Sequence, residues 1–201
     1  QDNDNNPGTG TTPFIPNYNI NRLSFFILES KRIGKSLFEA GIRLDTEKNN
    51  VRGRETNQKI FSDEFTKTNV TLSIGYQNEI SESFSFSSNF GSAWRTPNMA
   101  ELYSYGGHGF KSTFGLFRYY FEGSNVNTDR VIKMGENLVS SEKAFKFMNE
   151  LNLNNVKNNL KLSFFSNYIL NYVFERPIGI YGTVRGPMPY FIYDQADVIF
   201  L

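Results

Sequence analysis

The sequence predicts an all-β protein, an antiparallel transmembrane β-barrel, from three observations. Tight turns near positions 33–34, 79–83 and 154–158 alternate with long polar connections. Membrane barrels have this asymmetry, with short turns on one side of the membrane and long loops on the other. The segments between turns carry apolar residues at every second position, and aromatic residues lie near their ends. Both features are typical of strands with one lipid-facing side.

Each predicted strand has one apolar side and one polar side. Five segments alternate cleanly, and flanking segments at 21–29 and 190–201 bring the total to about seven strands. The apolar sides are Phe38, Ala40, Ile42 and Leu44; Val70, Leu72, Ile74 and Tyr76; Phe84, Phe86, Phe90 and Trp94; Phe145, Phe147, Leu151 and Leu153; and Leu160, Leu162, Phe164, Tyr168, Leu170 and Tyr172. The opposite sides are rich in Ser, Asn, Gly and charged residues. Each segment has the length of about 10 residues that a tilted membrane strand requires.

The aromatic residues predict girdles at the two membrane interfaces. Trp94 lies at the loop end of its strand, whereas Tyr76 and Phe84 flank the turn at the opposite end. Tyr168 and Tyr172 again lie toward a loop end. A soluble β-sandwich or ligand-binding β-barrel of the lipocalin type stays open as an alternative, because there the same alternation separates core from water.

Composition narrows the functional classes. A formal net charge of +1 gives no reason to expect nucleic acid or an acidic partner, and the lack of cysteine excludes disulfide scaffolds and thiolate metal sites. No stretch reaches the roughly 20 apolar residues of a spanning helix, which does not argue against a membrane barrel. The sequence contains no nucleophile elbow, zinc-protease helix or phosphate-binding loop. We therefore expect neither enzymatic activity nor a cofactor.

The chain divides into a polar segment at 1–17 and a partial barrel at 18–201. The first segment has no apolar run of the kind that a signal peptide requires. An odd number of strands leaves unpaired edges, which cannot face hydrocarbon. We therefore expect the barrel to be completed by more of the same polypeptide or by another chain.

The segment 94–103 predicts the end of a strand followed by a short helical turn. Pro97 cannot donate to a strand ladder and restricts the conformation of Thr96. Asn98 can cap a turn at 99–102, and Glu101 stands at the position of its capping-box partner.

This motif, Arg95-Thr96-Pro97-Asn98 followed by Glu101-Leu102-Tyr103, resembles a late-barrel motif of the TonB-dependent outer-membrane transporters. In that family a long extracellular loop, a Gly-Asn-type turn, a Leu and a strand-opening Glu follow. The corresponding residues here are Met134-Gly135-Glu136-Asn137-Leu138 and Ser141-Glu142-Lys143. The family's usual Lys-Pro before that Glu is replaced by Ser140-Ser141. A second late-barrel stretch is similar to Arg185-Gly186-Pro187 with Tyr190 and residues 193–197.

The resemblance implies a barrel of roughly 22 strands, closed by an N-terminal plug that these residues do not include. It places the short turns in the periplasm and loops at 47–64, 96–141 and 175–189 outside the cell. It also implies residence in the outer membrane of a Gram-negative bacterium. The implied partners are membrane lipid, the remaining barrel and plug, a TonB-type energy-coupling protein and a small-molecule or metal-chelate ligand.

The implied activity is active import of a scarce ligand. The ligand is most commonly a ferric siderophore, and haem, cobalamin and zinc are the less common alternatives. A passive outer-membrane pore or a surface-binding barrel without energy coupling stays open as an alternative. Arginine and tyrosine can together form a recess for an anionic chelate. The candidate ligand-binding residues in the outer loops are Tyr103, Tyr105, His108, Arg118, Tyr119 and Arg185. We expect no metal site, because His108 is the single histidine and a zinc site needs three or four ligands.

Overall fold

The computed structural model describes residues 2–3, 14–57, 59–136, 139–156, 158–183 and 186–201. Within these ranges the elements, in chain order, are β1 (Asp2–Asn3), β2 (Asn17–Ile33), β3 (Ser36–Arg54), β4 (Ile60–Ser81), β5 (Phe84–Arg95), α1 (Met99–Tyr103), β6 (Tyr105–His108), β7 (Lys111–Phe114), β8 (Tyr120–Glu122), β9 (Asn125–Asn127), β10 (Glu142–Asn154), β11 (Asn159–Thr183) and β12 (Gly186–Phe200). No helix in the described residues is long and apolar enough to cross a membrane. The polar segment predicted at 1–17 lies mostly outside the described residues.

Ten of the strands form one sheet, in the order β1-β2-β3-β4-β5-β10-β11-β12-β7-β6. The long strands β2 to β5 and β10 to β12 are all antiparallel to their long neighbours, which confirms the predicted seven-strand meander. Tight turns join β2 to β3, β4 to β5 and β10 to β11 at the predicted positions. The sheet does not close into a barrel within the described residues.

The apolar side of the sheet is exposed, as the alternation predicted. Ile42, Ile74 and Phe164 are 48, 60 and 63% exposed, respectively. A soluble sandwich or lipocalin would bury these side chains in its core. A continuous apolar wall of this kind instead matches contact with acyl chains.

Two of the three predicted outer loops are mostly strand, so that prediction was wrong. β3 continues to Arg54 and β4 begins at Ile60, which leaves a connection of only 55–59 in place of 47–64. In place of a loop at 175–189, β11 continues to Thr183 and β12 begins at Gly186. β3 and β4 extend beyond the apolar band because their inner side is packed there. Val51, Phe61 and Phe65 are buried on that side.

The third predicted loop, residues 96–141 (hereafter the long loop), keeps its position but is itself folded. It contains α1, the hairpin of β6 and β7, and the hairpin of β8 and β9. Its apolar residues form a core with the inner side of three wall strands. The buried members of this core are Val51, Phe61, Phe65, Met99, Leu102, Tyr103, Leu116, Phe117, Val131, Ile132, Val139 and Val173.

Trp94 differs from its predicted place in a lipid-facing girdle. The ladder between β4 and β5 stops at the pair Ser73 and Gly91, and above it β5 pairs only with β10. The Trp94 indole Nε1 donates to Asp45 Oδ2 at 3.1 Å. The guanidinium of Arg22 lies 5.4 Å from the indole ring. Trp94 therefore contacts the polar side of β2 and β3, and the girdle prediction was wrong for this residue.

Candidate functional site

Helix α1 begins where β5 ends, and both boundaries follow from the local sequence. Pro97 follows the last strand residues and stops the ladder. The backbone N–H of Glu101 donates to Asn98 Oδ1 at 2.9 Å, and the backbone N–H of Asn98 donates to Glu101 Oε2 at 2.7 Å. This reciprocal pair is the predicted capping box, which is confirmed.

Arg95 connects α1 to two wall strands. Its Nη1 donates to Glu101 Oε2 at 2.6 Å, and its Nη2 donates to Glu142 Oε1 at 2.8 Å. Glu142 Oε1 also accepts the backbone N–H of Val173 in β11 at 2.6 Å. One guanidinium and one carboxylate thereby fix the helix against β10 and β11. The sequence motif contained Arg95, Glu101 and Glu142, but nothing in their spacing predicted that they would meet.

Tyr103 is fully buried at the end of α1. Its hydroxyl donates to Asp63 Oδ2 at 2.8 Å, and the backbone N–H of Met134 donates to the same oxygen at 2.9 Å. Burial raises the pKa of Tyr103, and the neighbouring Asp63 charge raises it further. The phenol therefore stays protonated and acts as a donor that holds the long loop to β4.

Arg118 lies in a stack of aromatic rings and is 2% exposed. Its guanidinium is 4.3 Å from the Tyr105 ring and 5.8 Å from the Phe61 ring. Its Nη1 donates to the backbone carbonyl of Arg54 at 3.0 Å. Burial lowers the pKa of Arg118 to about 10, while Tyr105 and Glu55 oppose that shift. The side chain remains a cation that packs on ring faces.

Tyr119 lies on the other flank of the long loop, against β12. Its hydroxyl donates to the backbone carbonyl of Tyr193 at 2.8 Å. Burial raises the pKa of Tyr119 to about 12, with a further contribution from Asp194 that Arg176 partly offsets. Tyr119 also lines a recess of about 360 Å³ between the loop and the wall. The other lining residues are Leu116, Tyr120, Phe121, Ile132, Val139, Asp194 and Gln195.

The hairpin of β6 and β7 attaches the long loop to the edge of β12 that lies opposite β11. β7 pairs in parallel with β12 over Ser112 to Phe114. Lys111 forms an ion pair with Glu175 and lies 5.1 Å from the Phe191 ring. The pairing of β7 with β12 was not predicted, because three-residue parallel contacts have no recognisable sequence pattern.

The structure brings some of the predicted ligand residues together and separates others. Tyr105 and Arg118 are in contact, and Tyr103 joins the same stack through Phe61, whose ring centre is 5.8 Å away. Tyr119 stands apart at the recess. The backbone of His108 lies at the end of β6, whereas Arg185 lies outside the described residues. Tyr105 is partly exposed, while Tyr103, Arg118 and Tyr119 are buried. Ligand contact by any of them stays a prediction.

Polar residues on the inner side of β2 and β3 form a second cluster, which the sequence analysis did not single out. Arg43 and Ser24 both bond to Asp45, and Arg22 forms an ion pair with Glu47. Among the described side chains, no three of His, Asp and Glu approach one another as a metal site would require. Residues that are paired across adjacent strands have neighbouring side chains on the same side of the sheet. The register of β2 and β3 could therefore have predicted this cluster.

Comparison with known proteins agrees with the described fold. The family model for the TonB dependent receptor-like β-barrel matches residues 1–198. No curated protein matches the chain.

Two solved structures show the same fold. The hemophore receptor HasR of Serratia marcescens, a double mutant in complex with its hemophore HasA and heme, is 13% identical with a TM-score of 0.64. The alignment covers 93% of this chain and 31% of the HasR chain. The copper transporter OprC is 12% identical with a TM-score of 0.60, over 89% of this chain and 25% of its own. Because the family match extends over nearly the whole chain and the described strands form the wall of such a barrel, the chain belongs to the TonB-dependent receptor family.

Proposed function

We propose that the complete protein is an active importer in the outer membrane of a Gram-negative bacterium. It would bind a scarce ligand outside the cell and release it inward when a TonB-type protein transmits force from the inner membrane. We expect the ligand to be a ferric siderophore, and haem, cobalamin and zinc are the alternatives. Family membership supports this proposal, as does the fold shared with a hemophore receptor and a copper transporter.

The folded long loop supports active import over a passive pore. It packs on β3 and β4 through Val51, Phe61 and Phe65, and on β11 through Val173. A passive pore needs an open polar lumen, as in porins. Here an apolar core stands on the inner side of the wall, which is unlike the water-lined interior of a porin and supports the coupled transporter.

The proposed ligand contacts are the outer surface of the long loop and the recess beside β12. Tyr105 and His108 share β6 and are the leading candidates for direct contact, together with Arg185. Tyr119 lines the recess together with Tyr120 and other aromatic and apolar residues. Tyr103 and Arg118 would serve this surface indirectly, because they hold α1 and β6 in place.

The decisive experiment is growth of a strain lacking the complete gene under separate limitation for iron, zinc and cobalamin, with haem as an alternative iron source. We expect a defect in one condition, restored by the wild-type gene and abolished again when the TonB-type protein is removed. A defect in none of these conditions would contradict the cargo assignment. Uptake that continues without the TonB-type protein would favour the passive pore.

A further inference from the structure

We propose that the gap between β4 and β5 binds a phosphate-bearing glycolipid of the outer leaflet. This site lies on the outside of the wall and is separate from the import route. Its existence rests on the break in the strand ladder, the unpaired backbone groups at that break and a lysine beside it.

The gap begins where the β4–β5 ladder ends at Ser73 and Gly91. At the next position the Ser92 hydroxyl replaces a backbone partner: Leu72 N–H donates to Ser92 Oγ at 2.8 Å. Beyond it the strands leave a cavity of about 310 Å³. Its lining residues are Thr68, Asn69, Val70, Ser92, Ala93, Trp94, Lys143 and Phe145.

Backbone groups of β4 face this cavity without a strand partner. In an antiparallel ladder, alternate residues direct both N–H and C=O to the same neighbour. Leu72 faces β5, and the pairing of β4 with β3 continues without a register shift, so Val70 and Thr68 face the gap as well. Neither makes a backbone hydrogen bond on that side in the described part of the chain. Such groups need donors and acceptors wherever hydrocarbon would otherwise surround them.

The gap lies at the depth of lipid headgroups. Along the outer side of β4, Ile74, Leu72 and Val70 are apolar, and Thr68 and Thr66 follow. One step higher, Glu64 pairs with Lys48 at 2.8 Å. The change from apolar to polar therefore occurs at the cavity. Thr68 and Val70 both line the cavity, so it spans this change.

Lys143 gives the site its charge. It alternates with Phe145 and Phe147 on the outer side of β10 and is exposed. Among the described residues it has no ion pair, in contrast to Lys48, which is paired with Glu64. A phosphate suits this ammonium, sugar hydroxyls suit the free backbone groups, and Val70 and Phe145 offer apolar surface to an acyl chain. An added polypeptide strand fits less well, because it would have to enter the bilayer to reach Val70.

The test uses the complete receptor, purified in detergent and delipidated, with native mass spectrometry as the binding assay. Lipid A is the probe and phosphatidylcholine the comparator. We expect lipid A to be retained preferentially, and Lys143→Gln to weaken that retention about fivefold. Lys146→Gln is the matched control, because Lys146 lies three positions further along β10 and points to the opposite side; its retention should equal that of the wild type.

A second variant, Val70→Phe, fills the cavity with a side chain that the lipid-facing wall tolerates. It should lower lipid A retention while the barrel keeps its heat-modifiable mobility in gels. Equal retention in the Lys143→Gln and Lys146→Gln variants, or equal retention of phosphatidylcholine and lipid A by the wild type, would overturn the proposal. A co-purifying polypeptide found in the gap would overturn it as well.

Discussion

The hydroxyl of Tyr103, the last residue of α1, donates a hydrogen bond of 2.8 Å to the carboxylate of Asp63 in β4. The same carboxylate oxygen accepts the backbone N–H of Met134, more than thirty residues further along the long loop. Two distant parts of the loop therefore depend on one acceptor in the wall. The two hydrogen bonds to Asp63 hold the loop to β4, in addition to the apolar core.

Replacing Tyr103 with Phe should loosen the long loop without affecting barrel assembly. The ring keeps its packing against Phe61 and Phe117, but Asp63 loses one of its two donors. A hydrogen bond to a charged acceptor contributes about 1.5–3 kcal/mol. Hydrogen exchange of the amides at 131–136 in the complete receptor should become faster. Tyr181→Phe is the control, because its hydroxyl has no hydrogen bond among the described residues; equal exchange in the two variants would refute the role of this bond.

Gly115→Ala should open the contact between α1 and the following segment. A Cβ at this position would overlap the carbonyl carbon and oxygen of Leu102, so the backbone has to shift. Overpacking of this kind costs about 1–3 kcal/mol. Limited proteolysis of the receptor in outer-membrane vesicles should cut the loop faster. In Gly135→Ala the new methyl group meets nothing within 4 Å, and its cleavage rate should match the wild type.

Arg95→Gln should destabilise the junction of α1, β10 and β11. It removes the partner of Glu101 and Glu142, which are only 13 and 10% exposed. We expect a loss of about 1–3 kcal/mol, seen as earlier thermal unfolding of the detergent-solubilised receptor. The comparison is Arg130→Gln, which breaks an exposed pair with Glu136 and should cost less than about 1 kcal/mol. Equal shifts in the two variants would argue against a special role for Arg95.

Phe164→Arg should impair barrel assembly, because it places a cation on the lipid side of β11, between the apolar residues Leu162 and Tyr168. The cost at the bilayer midplane is about 2–4 kcal/mol. Ser163→Arg, one residue away, faces the inner side beside Glu150 and should assemble normally. The folded fraction in outer-membrane preparations, measured by heat-modifiable gel mobility, distinguishes the two. Similar folded fractions would mean that the sides have been assigned incorrectly.

Tyr119 should titrate later than an ordinary tyrosine. Burial raises its pKa to about 12 from 10.0, so the folded state retains the proton longer than the unfolded state does. Its contribution to stability is complete below pH 10 and is lost as the pH rises from 10 to about 12. The difference in absorbance at 295 nm between wild type and Tyr119→Phe should show a midpoint near 12. A midpoint near 10 would mean that Tyr119 is solvated.

The wall of this protein could be predicted from sequence, whereas the loop that covers it could not. Ile42, Ile74 and Phe164 belong to runs with a period of two, and that period fixes the side on which each residue lies. Tyr103 and Arg118 looked like exposed binding residues because polar groups in long loops usually face water. Their burial depends on contacts with Asp63 and Phe61, which are distant in sequence, and no local pattern encodes such contacts.

Trp94 illustrates the same limit on the wall itself. Its parity along β5 predicted a lipid-facing position, and that parity assumed an unbroken ladder. The ladder ends at Gly91, and beyond that point the indole reaches Asp45. Periodicity therefore predicts the place of a side chain only where the strand is paired on both of its edges, and at Trp94 β5 keeps only its pairing with β10.

The contacts of Glu142 have a mechanical consequence for the import that we propose. Its carboxylate is bonded to the guanidinium at the base of α1 and to the main chain of β11 at Val173. A ligand that displaced the helix would also pull on β11, because Glu142 joins the two. In the import that we propose, the wall would then take part in sensing that the binding site is occupied.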